Sequence, residues 1–165
     1  MDSETLVVFK VDIQAQLNLI KTVDERLRER ANNVESKDPI LLESIAYQIH
    51  NLYSAIEDLL KLIADYFENH ISNSRQWHSL LLQRMTITIP QVRPAVLTSE
   101  TYTLLNGLRG FRHFFRHAYG ATIEYEQLKS NLDKALNALP ELESDLDQFL
   151  AQLEQTDNES EEASS

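Results

Sequence analysis

The chain has 165 residues, enough for one domain with a real core, and it carries only three glycines, four prolines and no cysteine. So few turn residues exclude a sandwich or barrel of short strands and any glycine-rich phosphate loop. The missing thiols exclude disulfide scaffolds, thiolate metal sites and cysteine nucleophiles. The net charge of -11 is unevenly placed. Residues 75–117 hold six arginines against Glu100, net +5, between a first segment of net -6 (13 acids, 7 bases) and a last one of net -10 (12 acids, 2 bases). An arginine island in an acidic protein is a candidate anion site or a solvated helix face.

From about Glu4 to Asn33, Leu6, Phe9, Ile13, Leu17, Ile20, Val23 and Leu27 recur at steps of three and four, the mark of one buried helical stripe. Asp38 before Pro39 predicts the start of a second helix reaching about Phe67, with an N-cap acceptor followed by proline at the first helical position. A shorter helix is expected over 74–85, with Trp77, Leu80, Leu81 and Met85 inward. Thr86 to Ile89 alternates like a strand but has no partner strand, and Pro90 and Pro94 fit an extended connection. Thr98 or Ser99 caps a fourth helix, Glu100 to about Tyr119, stopped by Gly120. A fifth, Glu124 to Leu153, carries Leu128, Leu132, Leu136, Leu139, Leu142, Leu146, Phe149 and Leu153, with Pro140 expected to kink or split it. Residues 154–165 are acidic and lack large apolar side chains, which predicts a disordered tail after a bundle spanning 1–153. The expected architecture is all-α, an up-and-down bundle of four or five helices. The N-terminus lacks the marks of a secretory signal and no apolar run spans a membrane, so a soluble, cytoplasmic protein is expected.

One segment departs from a generic bundle. At about 100° per residue, Arg109, Arg112, His113, Arg116, His117 and Tyr119 fall within one half of the fourth helix. Leu108, Phe111, Phe114, Phe115 and Ala118 fall on the other, so the phenylalanines should anchor the helix while the cations face outward together. Arginines at i, i+3 and i+4 spacing repel, which calls for an anion to offset them. Metal-free phosphodiester cleavage needs an acid and a base near neutral pH, the work of histidine, and a permanent cation for the phosphoryl oxygens, the work of arginine. His113 and His117 at i, i+4 are also compatible with a metal, but the Glu or further His of a metal motif is missing and arginine neighbours disfavour a cation. No metal and no cofactor are expected. A face that binds an acidic partner or RNA without cleaving it remains the alternative.

Arg112-x4-His117-x-Tyr119 resembles the Arg-x4-His-x-Tyr signature of HepT-type HEPN ribonuclease toxins. The segments His50 to Glu57, Trp77-His78 with Leu81 to Met85, and Arg112 to Gly120 resemble that branch in order and spacing, over roughly residues 1–150. The resemblance implies a HEPN bundle that forms a homodimer, joining Arg112 and His117 of both copies in one cleft, and a metal-independent endoribonuclease acting on RNA. His117 would be general acid or base, and Arg112 would hold the scissile phosphate. It further implies a nucleotidyltransferase antitoxin of the MNT type that adenylylates Tyr119. His113 stands where many such toxins carry Asn or Asp, so its role is open. Arg109, His113 and Arg116 are RNA-binding or accessory candidates. Tyr53 and Glu57, one turn apart on the second helix, are either accessory site residues or a pair bracing the bundle. The alternative function is a non-catalytic helical module partnering a nucleotidyltransferase.

Overall fold

The computed structural model describes residues 3–68, 77–117, 120 and 122–162, with side chains described except at 117 and 157–162. Five helices, α1 (Ser3–Ala31), α2 (Pro39–Glu68), α3 (Trp77–Met85), α4 (Ser99–His117) and α5 (Tyr125–Glu162), form an all-α bundle. α2 packs against each of the other four, and α5 also closes on α1 and α4. No described helix is long and apolar enough to cross a membrane.

The stripe of α1 is buried from Leu6 through Leu27 as its spacing predicts, except that Val23 is half-buried and Asp24 beside it is buried instead. A short 3-10 turn, Val34–Ser36, follows and tucks Val34 into the core, and Lys37 then adopts a left-handed φ of 54°. Asp38 caps α2, its Oδ1 accepting the Ile40 N–H at 2.8 Å. As the central helix, α2 buries side chains on several sides, including Tyr53 and Glu57. One end of the core is aromatic: Phe9, Tyr66, Phe67 and Phe149 meet edge to face.

α3 is described from Trp77, and its inward set is Leu81, Leu82 and Met85; Leu80 is exposed and Trp77 half-buried, a shift of one residue from the expected face. Thr86 to Ile89 does not run on as an extended strand. It enters a turn through Gln91, at a φ of 63°, closed by a lone bridge between Ile89 and Arg93. The buried Arg93 guanidinium holds this turn. It donates to Glu68 of α2 at 2.9 Å and to the carbonyls of Arg84, Ile87 and Pro94 at 3.0 to 3.1 Å. Burial, and then Arg84, lower its pKa to about 10, which leaves it charged at neutral pH.

Thr98, rather than Ser99, caps α4: its hydroxyl accepts the Thr101 N–H at 3.3 Å, and Asp145 of α5 accepts the Thr98 N–H at 2.8 Å. After α4, Gly120 takes a φ of 74°, a left-handed turn that suits a helix stop. α5 runs through Pro140 without interruption. A proline at 140 has no N–H for the carbonyl four residues earlier. That carbonyl, Leu136 O, instead accepts from Arg28 of α1 at 2.6 Å. α5 also continues to Glu162, past residue 153 where composition predicts disorder to begin. A helix already formed extends at one hydrogen bond per residue and needs no apolar side chain to do so. Leu153 is the last buried side chain described.

Candidate active site

α2 presents His50, Tyr53 and Glu57 at i, i+3 and i+7, a polar line on a face of the helix that packs inward. α4 crosses this face with Leu108 and Phe111 buried, and Phe115 stacks its ring on His50 at 5.6 Å between centroids. That packing turns Arg112 toward α2. Its guanidinium carbon lies 6.0 Å from the centre of the Tyr53 ring, and its Nη2 lies 4.0 Å from Glu57.

Glu57 is the hub. Its side chain is only 2% exposed, and His78 of α3 bonds to it at 2.6 Å, with Lys61 at 3.9 Å. Trp77 stacks on His78 at 3.7 Å, and Lys61 lies over the Trp77 ring at 4.2 Å. A buried carboxylate is tolerated when cations and donors surround it, as they do here. Burial first, and then Arg112 and Arg116, lower the pKa of His50, against a weaker opposing pull from Glu57. Its neutral imidazole is favoured. Burial, then the Glu57 charge and a hydrogen bond to the Glu57 carboxylate, push the Tyr53 phenol up, so it stays protonated.

The predicted site residues do not all face outward together. Arg112 is drawn in, with its side chain 16% exposed, because Glu57 and Tyr53 make a polar recess for it on α2. His113 and Arg116 are exposed, and Arg109 is half-buried with its Nε donating to Asn106 at 3.1 Å. Phe114 and Phe115 are half-buried rather than enclosed. His117 ends α4 and its side chain lies outside the described residues, as does Tyr119 entirely. The arginine island is smaller than its sequence count. Arg84 and Arg93 both pair with Glu68, and Arg75 lies outside the described residues, which leaves Arg109, Arg112 and Arg116 along α4.

Sequence reading passes over His50 and His78 as site residues. The available signal is the spacing of His50, Tyr53 and Glu57, three polar side chains in line where the apolar pattern asks for core. His78 has no such signal, since its partner Glu57 lies on another helix.

A positioned arginine at the junction of three helices, next to a neutral imidazole and flanked by further arginines, can hold an anion and stabilise charge developing on it. The model of the HepT-like protein family matches residues 44–153, from the first turns of α2 into α5. The chain therefore belongs to the HepT-like family of HEPN domains. No curated protein and no solved structure gives a significant match.

Proposed function

We propose that this protein is a metal-independent endoribonuclease, the toxin of a toxin–antitoxin pair. The observation that carries the reading is Arg112, held against Tyr53 and Glu57 in a protein whose family and Arg-x4-His-x-Tyr motif agree. A solvated arginine would sample many rotamers. One with its position fixed loses less freedom when it grips a phosphate.

In this reaction the 2′-hydroxyl of RNA attacks the adjacent phosphorus while a base takes its proton. The bond to the 5′-oxygen breaks, and an acid protonates that leaving oxygen, giving a 2′,3′-cyclic phosphate and a 5′-hydroxyl. Arg112 stabilises the charge on the non-bridging oxygens. His117 serves as base or acid, and a second copy of the chain supplies the other, so the active form is a homodimer whose α4 helices share one cleft. Arg109, His113 and Arg116 extend the cationic track for the RNA strand. Control comes from a nucleotidyltransferase antitoxin of the MNT type, which places AMP on Tyr119. The added charge and bulk close the cleft.

The test is incubation of the protein and its His117→Ala variant with total RNA and tRNA in EDTA, followed by analysis of fragment ends. Cleavage leaving cyclic phosphate, lost in a folded variant, is expected. No cleavage by unmodified, dimeric protein would favour a non-catalytic binding module partnering the transferase. Incubation with the antitoxin and ATP should add one AMP to Tyr119, read by peptide mass spectrometry, and an unmodified Tyr119 peptide would refute that mode of control.

A further inference from the structure

The outer face of α1 is uncharged over about four turns, in a chain of which 25% is charged. Val7, Val8, Val11 and Leu19 are 55 to 63% exposed there, and the side chains that share the face with them as far as Thr22 are neutral. The three charges that α1 carries between Thr5 and Val23 are turned back into the bundle of the same chain. Lys10 pairs with Glu154, Lys21 pairs with Glu143, and Asp12 accepts from the Tyr66 hydroxyl. Charges drawn aside and apolar side chains left in water are the reverse of an ordinary solvated helix face.

The face is also self-complementary. At about 100° per residue, Glu4, Val8, Val11, Ala15, Leu19, Thr22 and Arg26 lie within about 40° of one line. Their steps of four, three and four residues repeat on both sides of Ala15, so the row reads alike from either end, and its smallest side chain is at the centre. An antiparallel copy with its two-fold axis at Ala15 sets Val11 against Leu19, Val8 against Thr22 and, at each end, Glu4 against Arg26. Ala15 on Ala15 lets the helices approach closely where they cross. Glu29 falls outside the overlap, opposite a position before Ser3, where α1 begins. A parallel pairing would instead set Glu4 on Glu4 and Arg26 on Arg26, like charge on like.

We infer that the outer face of α1 is a two-fold interface between copies of this chain, centred on Ala15 with Val8, Val11, Leu19 and Thr22 and closed at each end by Glu4 and Arg26. At a net charge of -11 two copies repel, and an uncharged face is where they approach at least cost. The row is about 33 Å long, and one helix pair of that length buries less than the roughly 1,600 Å2 of a standard interface. Association is therefore weak and reversible, with a Kd on the order of micromolar. α1 and α4 both pack on α2 and α5, which sets them at opposite corners of the bundle. The α1 interface is separate from the α4 cleft and does not rest on the ribonuclease reading.

The experiment combines sedimentation of the full chain over a range of concentrations with cysteine pairing, for which a chain without cysteine is a clean background. At high concentration the wild type should have twice the mass of a Val11→Lys, Leu19→Lys double variant, whether or not the α4 helices also pair. In dilute solution the two should melt at the same temperature, since both replaced side chains are exposed. Under mild oxidation Ala15→Cys should link to itself across the axis. Val8→Cys should link to Thr22→Cys when the two proteins are mixed, and far more slowly to itself. Ser130→Cys is the control, exposed on α5 past the level where Arg28 meets Leu136.

Equal masses of wild type and double variant at every concentration would overturn the inference, as would Ala15→Cys linking no faster than Ser130→Cys. Val8→Cys linking to itself as fast as to Thr22→Cys would rule out the register centred on Ala15. A double variant that melts lower in dilute solution would show the face to be covered within one chain, which also overturns the interface.

Discussion

Glu57 illustrates how one buried charge organises a neighbourhood. With His78 at 2.6 Å and Arg112 at 4.0 Å it ties α3 and α4 to α2, so Glu57→Gln should lower stability by about 1–3 kcal/mol in urea unfolding. If RNA is the substrate, the same variant should lower kcat more than it raises KM, since Arg112 loses its orientation rather than its charge. His50 gives the contact between α2 and α4 a pH dependence of definite sign. Its folded pKa lies below the ordinary 6.5, so the unfolded chain takes up protons more readily. The stability it confers is complete above pH 6.5 and falls as pH drops below that value. Melting temperature against pH should therefore slope less between pH 7 and 5 in His50→Phe than in the wild type. Arg112 was legible in the sequence because the motif and the helix wheel single it out. Its inward turn was not, because the wheel ranks residues by face and has no knowledge of a polar recess on the neighbouring helix.

Among the elements, the helices were the readable part. Their stripes at three and four residues are long enough to fix type and face, and the caps at Asp38 and Thr98 fall where side-chain acceptors permit. The 86–98 segment was not readable in the same way. Its alternation of threonine and isoleucine mimics a strand, yet its path is set by Arg93 reaching back to Glu68. Arg93→Met should cost about 3–5 kcal/mol, because it leaves the Glu68 carboxylate, 4% exposed, without its buried cation. Arg93→Met combined with Glu68→Gln should recover much of that loss, and a double-mutant cycle of urea midpoints measures the coupling. α3 shows the limit at short length: over Trp77–Met85, one residue of phase turns an expected inward pair Leu80–Leu81 into Leu81–Leu82.

At the scale of the whole molecule, the buried charges, Asp24, Glu57, Glu68, Arg93 and Asp145, sit within or against the core, while the acidic end of the chain lies outside it. The acidic end of α5 meets the rest of the bundle through Lys10 and Glu154, an exposed pair of the kind worth little in water. Deleting residues 154–165 should change the unfolding free energy by less than about 1 kcal/mol and, if RNA is the substrate, leave its affinity unchanged across salt concentrations. Pro140, inside α5, has larger reach. Leucines recur along α5 so evenly that sliding it one turn against α1 would still bury an apolar row. Pro140 breaks that degeneracy. It bares one carbonyl at one height, Leu136 O, and Arg28 meets it there. With Lys21 on Glu143 and Lys10 on Glu154, the pair works as an index mark that sets the vertical alignment of α1 against α5, and with it the height at which α4, docked on α5 through Thr98 and Asp145, carries Arg112 to the face of α2.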